Sequence, residues 1–426
     1  MTAHAVPRSA AEFTLIRQFE VQKALASPDR VAAFRRFAER GLPTRRVESW
    51  HYTDLRAAMT DAAPLAPAPD AAALEAAKQA LAERKRFGGA RLILVNGRYV
   101  EALSDSPPSG VTLVRTEGKT AGVDDPMVAL AEAMSQGGCA VQVSDGAAID
   151  QPIEILHLVS GEGELSLYSR TEIAVGLGAR VSFLETFAGA WSAVQRHALT
   201  TLRLASEATV KHAVVVEDHA ELHLESQVSE IATGAELNAF GLISAGALAR
   251  RQAFVRLVGE NAKIALGGLT LLDHSRRADT TLHVVHCAPG GTSREFYRSI
   301  VDDEAAGTFQ GKVVVAAGAQ KTDGAMKSQA VLLSPQAQMN AKPELEIFAD
   351  DVVCGHGATV GSLDADQVFY LEARGLPKEE AEAMLLEAFG AEAIERIEDD
   401  LLAEAMRAPF GAWLASRRAA PAEASP

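Results

Sequence analysis

The sequence predicts a mainly β protein, a parallel β-helix (solenoid) core between helical ends. Three observations predict it. From about residue 139, short segments of Val, Ile, Leu and Thr follow one another, among them IEILHLV, RVSFLETF, TVKHAVVV and KVVVAA. A loose tetrad, x-Ala/Gly-x-apolar, recurs at Gly178, Glu207, His219, Gly234, Asn261, Ala306 and Gly357. Its intervals are 29, 12, 15, 27, 45 and 51 residues, and the 12 and 15 together restore 27. A small residue at a corner followed by a strand is what stacked coils need, since no single coil can bury its own apolar face. Thirdly, tight hairpin signals are scarce after residue 100, although a sandwich or barrel would also supply many short strands.

The elements follow in order. Residues 11–40 read as helical, with Phe13, Ile16, Phe19, Val31, Phe34 and Phe37 at helical spacing and Gly41 and Pro43 as stops. Residues 63–70 form a Pro/Ala linker, and Asp70 can cap a helix that Gly88 closes. RLILVNGRYV (91–100) carries an Asn-Gly hairpin signal. Asp125-Pro126 opens a helix to about Ser135, Asp as cap and Pro at the first position. Beyond residue 372 the strands stop. Pro377 starts an amphipathic helix to Gly390, in which most of Met384, Leu385 and Phe389 should pack inward. A further helix is expected to break near Pro409-Phe410-Gly411. The domain reading is an N-terminal, mostly helical region (1–138), the β-helix core (139–372), a C-terminal helical domain (373–416) and a disordered tail (417–426).

Composition narrows the function. There are 41 Lys and Arg against 56 Asp and Glu, a formal charge of −15, in a chain of 426 residues. That balance disfavours nucleic acid and anionic membranes, which reward clustered bases. No stretch approaches the roughly 18 apolar residues of a spanning helix. The first twenty residues lack an apolar core of a signal peptide, so a chain that is not exported is expected. Three scattered cysteines (Cys139, Cys287, Cys354) make no disulfide framework and fit a reducing cytoplasm. Four thiolates are needed for an all-cysteine iron–sulfur cluster, so this chain alone cannot hold one.

Few motifs carry chemistry. Gly118-Lys119-Thr120 ends like a phosphate-binding loop, but Leu113 stands where its first glycine belongs. The run from Gly307 to Lys312 has one spacer too few. His212, His219 and His223 sit near Glu217 and Asp218, a set that could bind zinc or iron, yet histidines on the surface of successive coils are the expectation. In LHVVHC, period two separates His286 from His283 and Cys287. The strongest candidate is DDVVCGHGAT (350–359). On a strand, Cys354 and His356 share a face, and Gly355 and Gly357 leave room for a metal or another backbone. Thiolate and imidazole together suit iron, zinc or a cluster edge. The plainer alternative is a buried cysteine acting as a small hydrophobe beside a histidine satisfied by Asp350 and Asp351.

Three runs, SREFYRSIVDDEAAGTFQGKVVVAAGAQKTDG (293–324), VLLSPQAQMNAKPELEIFADDVVCGHGATVG (331–361) and FYLEARGLP (369–377), resemble the SufB/SufD family of iron–sulfur cluster assembly proteins. WHYTDLR (50–56) and LVNGRYV (94–100) are similar to the shorter branch of that family, as are the modest length and the three cysteines. The resemblance implies a right-handed parallel β-helix and a cytoplasmic, non-catalytic scaffold subunit. It implies pairing with SufB through the β-helix and docking of the SufC ATPase through the C-terminal helical domain. A homodimer of the chain alone stays open. The resemblance further implies that His356 and Cys354 belong to a metal site shared at the SufB interface. Iron or a transient iron–sulfur cluster would be shared there, none being held stably by this chain alone. Two other classes compete: a polysaccharide-active β-helix enzyme, and a purely structural solenoid without a metal. The first needs an export signal and sugar-stacking aromatics, and aromatics are only 5% here.

Overall fold

Four of the seven tetrads mark one physical event. Gly178, Glu207, Gly234 and Asn261 all turn with positive φ, between 57° and 65°. The alanine after each (Ala179, Ala208, Ala235, Ala262) is fully buried, because the corner leaves no room for more than a methyl group. The third residue onward is strand, and its apolar residue enters the core. Gly290 and Lys321 make the same left-handed corner one and two coils later. The tetrad at His219 precedes strands of the opposite sheet, and those at Ala306 and Gly357 lie within strands.

The computed structural model describes residues 8–114, 116, 122–161, 163–189 and 193–419. Its strands form two sheets that face each other, a ten-stranded one ending in Val353–Gly361 and a nine-stranded one ending in Gln338–Ile347. Successive strands alternate between the sheets, and each pairs in parallel with the strand one coil away. Two pairings are antiparallel. They join Arg91–Val95 to Arg98–Tyr99 across the Asn96-Gly97 turn, and Val111–Val114 to Gly138–Val143. The architecture is thus a parallel β-helix with helices at both ends. It begins earlier than the sequence suggests, since Arg91–Val95 pairs in parallel with Ile153–Leu158. It also ends earlier. The last strand stops at Gly361, and Asp364 caps a helix over Ala365–Glu372.

Alternation sends every second side chain into the lumen. One inward column runs Val181, Val210, Leu237, Ile264, Ser293, Gly324, Cys354. The next runs Phe183, His212, Ala239, Leu266, Glu295, Met326, His356. Gly307 and Gly311 also lie on inward positions of a strand. A Cβ on either would meet a methionine sulfur, of Met339 at 2.7 Å and of Met326 at 2.3 Å, so these glycines serve packing and not a phosphate loop. Gly118-Lys119-Thr120 lies outside the described residues.

Helices cover the outer faces. The N-terminal ones place Leu15, Phe19, Phe37, Trp50 and Leu130 against Tyr168, Leu222 and Leu224 of the nine-stranded sheet. Trp50, from the WHYTDLR run, donates its indole N–H to Asp125 at 3.0 Å and stacks under Arg250 at 3.8 Å. On the opposite side, Leu386, Ile394, Met406, Phe410 and Trp413 pack on Phe240, Leu269, Phe296 and Ile300 of the ten-stranded sheet. Of the three expected inward, Leu385 and Phe389 are half-buried and Met384 is 48% exposed, while Leu386 is fully buried. Nor does the final helix break. Pro409 lies inside Asp400–Ala419, where burial of Phe410 and Trp413 outweighs one lost backbone bond. Gly390 is likewise helical, and a Cβ there would meet the Phe410 ring at 2.3 Å. Of the expected tail, 417–419 are instead the end of the Asp400–Ala419 helix, with Arg417 paired to Asp302, and 420–426 lie outside the described residues. Among the described residues no helix is long and apolar enough to cross a membrane.

Candidate functional site

The last coil is open. Val353–Gly361 and Gln338–Ile347 are the edge strands of their sheets among the described residues. Val353 donates its N–H back to Thr322 of the preceding coil. Alternate residues of a parallel strand bond to alternate neighbours. The N–H groups of Cys354, His356, Ala358 and Val360 therefore point to the free edge. On the other edge Gln338 and Phe348 bond back to Ala305 and Val315, so residues 339–347 at odd numbers face outward. Pro343 sits among them, at a position that would otherwise offer an N–H, as proline on an edge strand usually does. One edge is thus a continuous template and the other is interrupted. Ile347, Phe348, Val353 and Val360 leave this end partly apolar, at 42–74% exposure.

Cys354 and His356 both stand on inward positions of this last strand, above Gly324 and Met326. Cys354 is half-buried and packs against the core, whereas no coil covers His356, which is exposed. Burial pushes the Cys354 thiol up, the nearby Gly324 N–H pulls it partly back, and Asp323 and Glu295 push further. Below them the lumen changes character. Where earlier coils place Val, Leu and Ile, the last three place Ser293, Gly324 and Cys354, with Glu295 alongside. Glu295 is 2% exposed, and burial pushes its carboxyl up to about 7 although the Ser293 hydroxyl and Arg294 pull it down. Among the described residues no three His, Cys, Asp or Glu side chains converge as a metal would require. Cys354 and His356 offer two donors, so a metal at this end would take its other ligands from elsewhere.

The expectation of surface histidines fails for two of the three. His219 is exposed, but His212 is 1% and His223 0% exposed. His212 sits at the core parity of TVKHAVVV, as His157 does in IEILHLV and Glu185 in RVSFLETF. Glu185, fully buried, joins the two. It accepts from His157 Nε2 at 2.8 Å, His212 Nε2 at 3.2 Å, and the hydroxyls of Thr171 and Thr200 at about 3 Å. Burial raises the Glu185 carboxyl, but the two histidines outweigh that and hold it below the usual range. Burial also lowers His157. Glu185 takes the Nε2 of both rings, and each Nδ1 is left without a hydrogen bond. His223 instead pairs with Asp218, which Arg196 also binds at 2.6 Å. The parity of polar residues inside apolar strands was the signal for this group. Cys139, also interior, is pushed up to about 12 by burial and Glu185, an inert thiol.

These buried histidines make the fold acid-labile. Burial lowers His197 to about 3 and His286 to about 4, and no ring nitrogen of either is hydrogen-bonded. Unfolded, both bind protons near pH 6.5. Stability is therefore complete above that pH and falls as pH drops toward 4. Glu295 opposes this with one proton, because its folded pKa lies above its unfolded one. The net is one proton, about 1.4 kcal/mol lost per pH unit between 6.5 and 5, and His157 adds in the same direction. Urea midpoints across that range should fall; an unchanged midpoint would mean that the histidines charge in place.

Fold and open end together define a β-helix protein whose final coil is left as a template. Comparison with known proteins narrows the class. The family described as "SUF system FeS cluster assembly, SufBD core domain" matches residues 157–389, more than half of the chain. SufD of Escherichia coli is 30% identical over 411 residues, covering 92% of this chain and 94% of that protein. The chloroplastic protein ABCI7 of Arabidopsis thaliana is 27% identical over 270 residues, 60% of this chain and 56% of that one. SufD of Bacillus subtilis is 33% identical over 117 residues, 28% and 27% of the two chains. The chain belongs to the SufBD family of the SUF iron–sulfur cluster assembly system.

Proposed function

We propose that this chain is a non-catalytic scaffold subunit of the SUF system, working in the cytoplasm. It pairs with SufB by strand addition at its open coil, and its Cys354 and His356 face iron or a transient cluster shared between the two chains. The observation that carries this is the coincidence of the free, continuous edge with those two side chains on one strand. The SufC ATPase docks on the C-terminal helices, where Phe369, Tyr370 and Met384 are 70%, 56% and 48% exposed.

The test is the complex co-expressed with SufB and SufC and purified anaerobically. His356→Ala should leave the three chains together but lower recovered iron and sulfide about tenfold or more, as loss of a ligand does. Phe369→Glu should lose SufC and keep SufB. Point changes suit this better than truncation, because removing residues 373–426 would bare the apolar sheet face under Leu386 and Phe410. Full iron content in folded His356→Ala would favour a purely structural solenoid.

A further inference from the structure

One column of outward side chains crosses five consecutive strands of the nine-stranded sheet. Register sets Val228 beside Phe254, Phe254 beside His283, His283 beside Lys312, and Lys312 beside Glu344. Neighbouring strands lie about 4.8 Å apart, so the column runs about 19 Å. It floors a groove of about 480 Å3, which Val47, Ser49 and Val123 also line. The Val47–Ser49 wall is pinned in place. The Ser49 carbonyl accepts from Arg250 Nη2 at 2.7 Å and from Gln310 Nε2 at 3.2 Å, and Glu48 pairs with Lys342 at 3.1 Å.

The column changes character along its length. One end is apolar, Val228 and Phe254, and the Phe254 and His283 rings meet edge to face at 6.3 Å. The other end is Glu344, on the edge strand of the open coil. The charges along the groove are matched within the chain. Lys312 pairs with Glu346 at 2.6 Å, Glu344 with Lys342 at 3.1 Å, and Arg256 with Glu230 at 2.8 Å. Burial and Lys312 push the His283 imidazole below its usual range, so it is neutral at pH 7.

We propose that this groove seats an extended arm of SufB, uncharged and ending in a large aliphatic or aromatic side chain that rests on Phe254. The inference rests on SufB pairing at the open coil, because the groove is continuous with that edge through Glu344. A chain seated on the edge needs only an arm that turns back along the outside of the sheet. At about 3.3 Å per extended residue, the column takes about six residues. Its length suits a segment of chain better than a compact small molecule. Its matched charges offer nothing to a charged arm, which would lose its water without return. The groove also supplies what edge pairing lacks. Main-chain bonds give affinity to almost any strand, whereas side-chain pockets give specificity. Phe254 and its neighbours would thus tell SufB from other exposed edges.

The experiment uses the full-length chain with p-benzoylphenylalanine in place of His283, mixed with SufB and irradiated. Peptide mass spectrometry then locates the cross-link. The same group in place of Phe13, 55% exposed on the N-terminal helix, reports chance collisions. The group at 283 should join one short stretch of SufB, and the group at 13 should not. In parallel, calorimetry measures SufB affinity. Phe254→Ala removes the apolar end of the floor and should weaken binding about tenfold. His283→Asp places a charge beside Lys312, where it can be paired in the free chain, and should weaken binding by a similar factor. Should Phe254→Ala not fold, His283→Asp decides alone. Cross-links only to this chain's own residues 115–121, or to a second copy, would overturn the proposal, as would unchanged affinity in the variants. Ala358→Pro, at the strand edge, separates the two readings. Loss of SufB in Ala358→Pro with full affinity in His283→Asp keeps edge pairing and removes the arm. Full affinity in Ala358→Pro with loss in His283→Asp keeps the arm and removes edge pairing.

Discussion

Ala358→Pro should abolish pairing with SufB while leaving this chain folded. Ala358 is exposed on the last strand, and its N–H points to the free edge by the alternation that Val353 begins. Proline there removes no bond to the preceding coil. It does remove a donor from the middle of the template and sets a ring in the path of an incoming strand. Leaving a partner carbonyl unpaired costs about 1–3 kcal/mol, a loss of affinity of roughly 5- to 150-fold. Thr359→Pro is the contrasting variant, since its N–H faces the preceding coil, and it should cost stability of the chain itself. Binding of purified SufB, measured by calorimetry or sedimentation, separates the two. Undiminished affinity in Ala358→Pro would mean that SufB does not add a strand here.

Glu185→Ala should destabilise the chain by about 3–5 kcal/mol, the usual result of removing one member of a buried ionic group. The loss is large because four donors, from His157, His212, Thr171 and Thr200, would be left facing an apolar cavity. Glu185→Gln keeps the shape but must turn an N–H toward one of those donors, so it should fall between the two. Urea unfolding at pH 7 measures both. A cost in Glu185→Ala below about 1 kcal/mol would show that water replaces the carboxylate, and with it that the lumen is wet.

Much of this was legible in the chain. The corner tetrads at Gly178, Glu207, Gly234 and Asn261 gave away the coil because a left-handed turn and a buried alanine tolerate few residue types. Asn96-Gly97 and Asp125-Pro126 were readable for the same local reason. Parity alone put Cys354 and His356 on one face, and the register agrees. What could not be read depends on packing between distant residues. Pro409 stays helical because Phe410 and Trp413 reach a sheet built more than a hundred residues earlier. Met384 and Leu386 exchange roles because the helix rests on the sheet at an angle that its own apolar spacing leaves open. In sequence His212 reads as a surface group because histidine usually is one; its partner Glu185 stands 27 residues away, one coil back. Ser293, Gly324 and Glu295 carry no signal in sequence, since they meet only in columns that exist after coiling.

The open last coil has a thermodynamic consequence. In a stack of similar units, each unit's stability is its own small term plus one interface with the unit before and one with the unit after. The coil that carries Cys354 and His356 has only the first of these interfaces. Its local opening free energy should then be lower than that of the coils beneath it, which makes it the natural place for exchange with solvent. A partner that adds the missing interface acts as the next unit of the stack. Ordering of the final coil and capture of the partner become a single equilibrium, and the donors at that end reach their most fixed geometry only when the second chain is present to complete them.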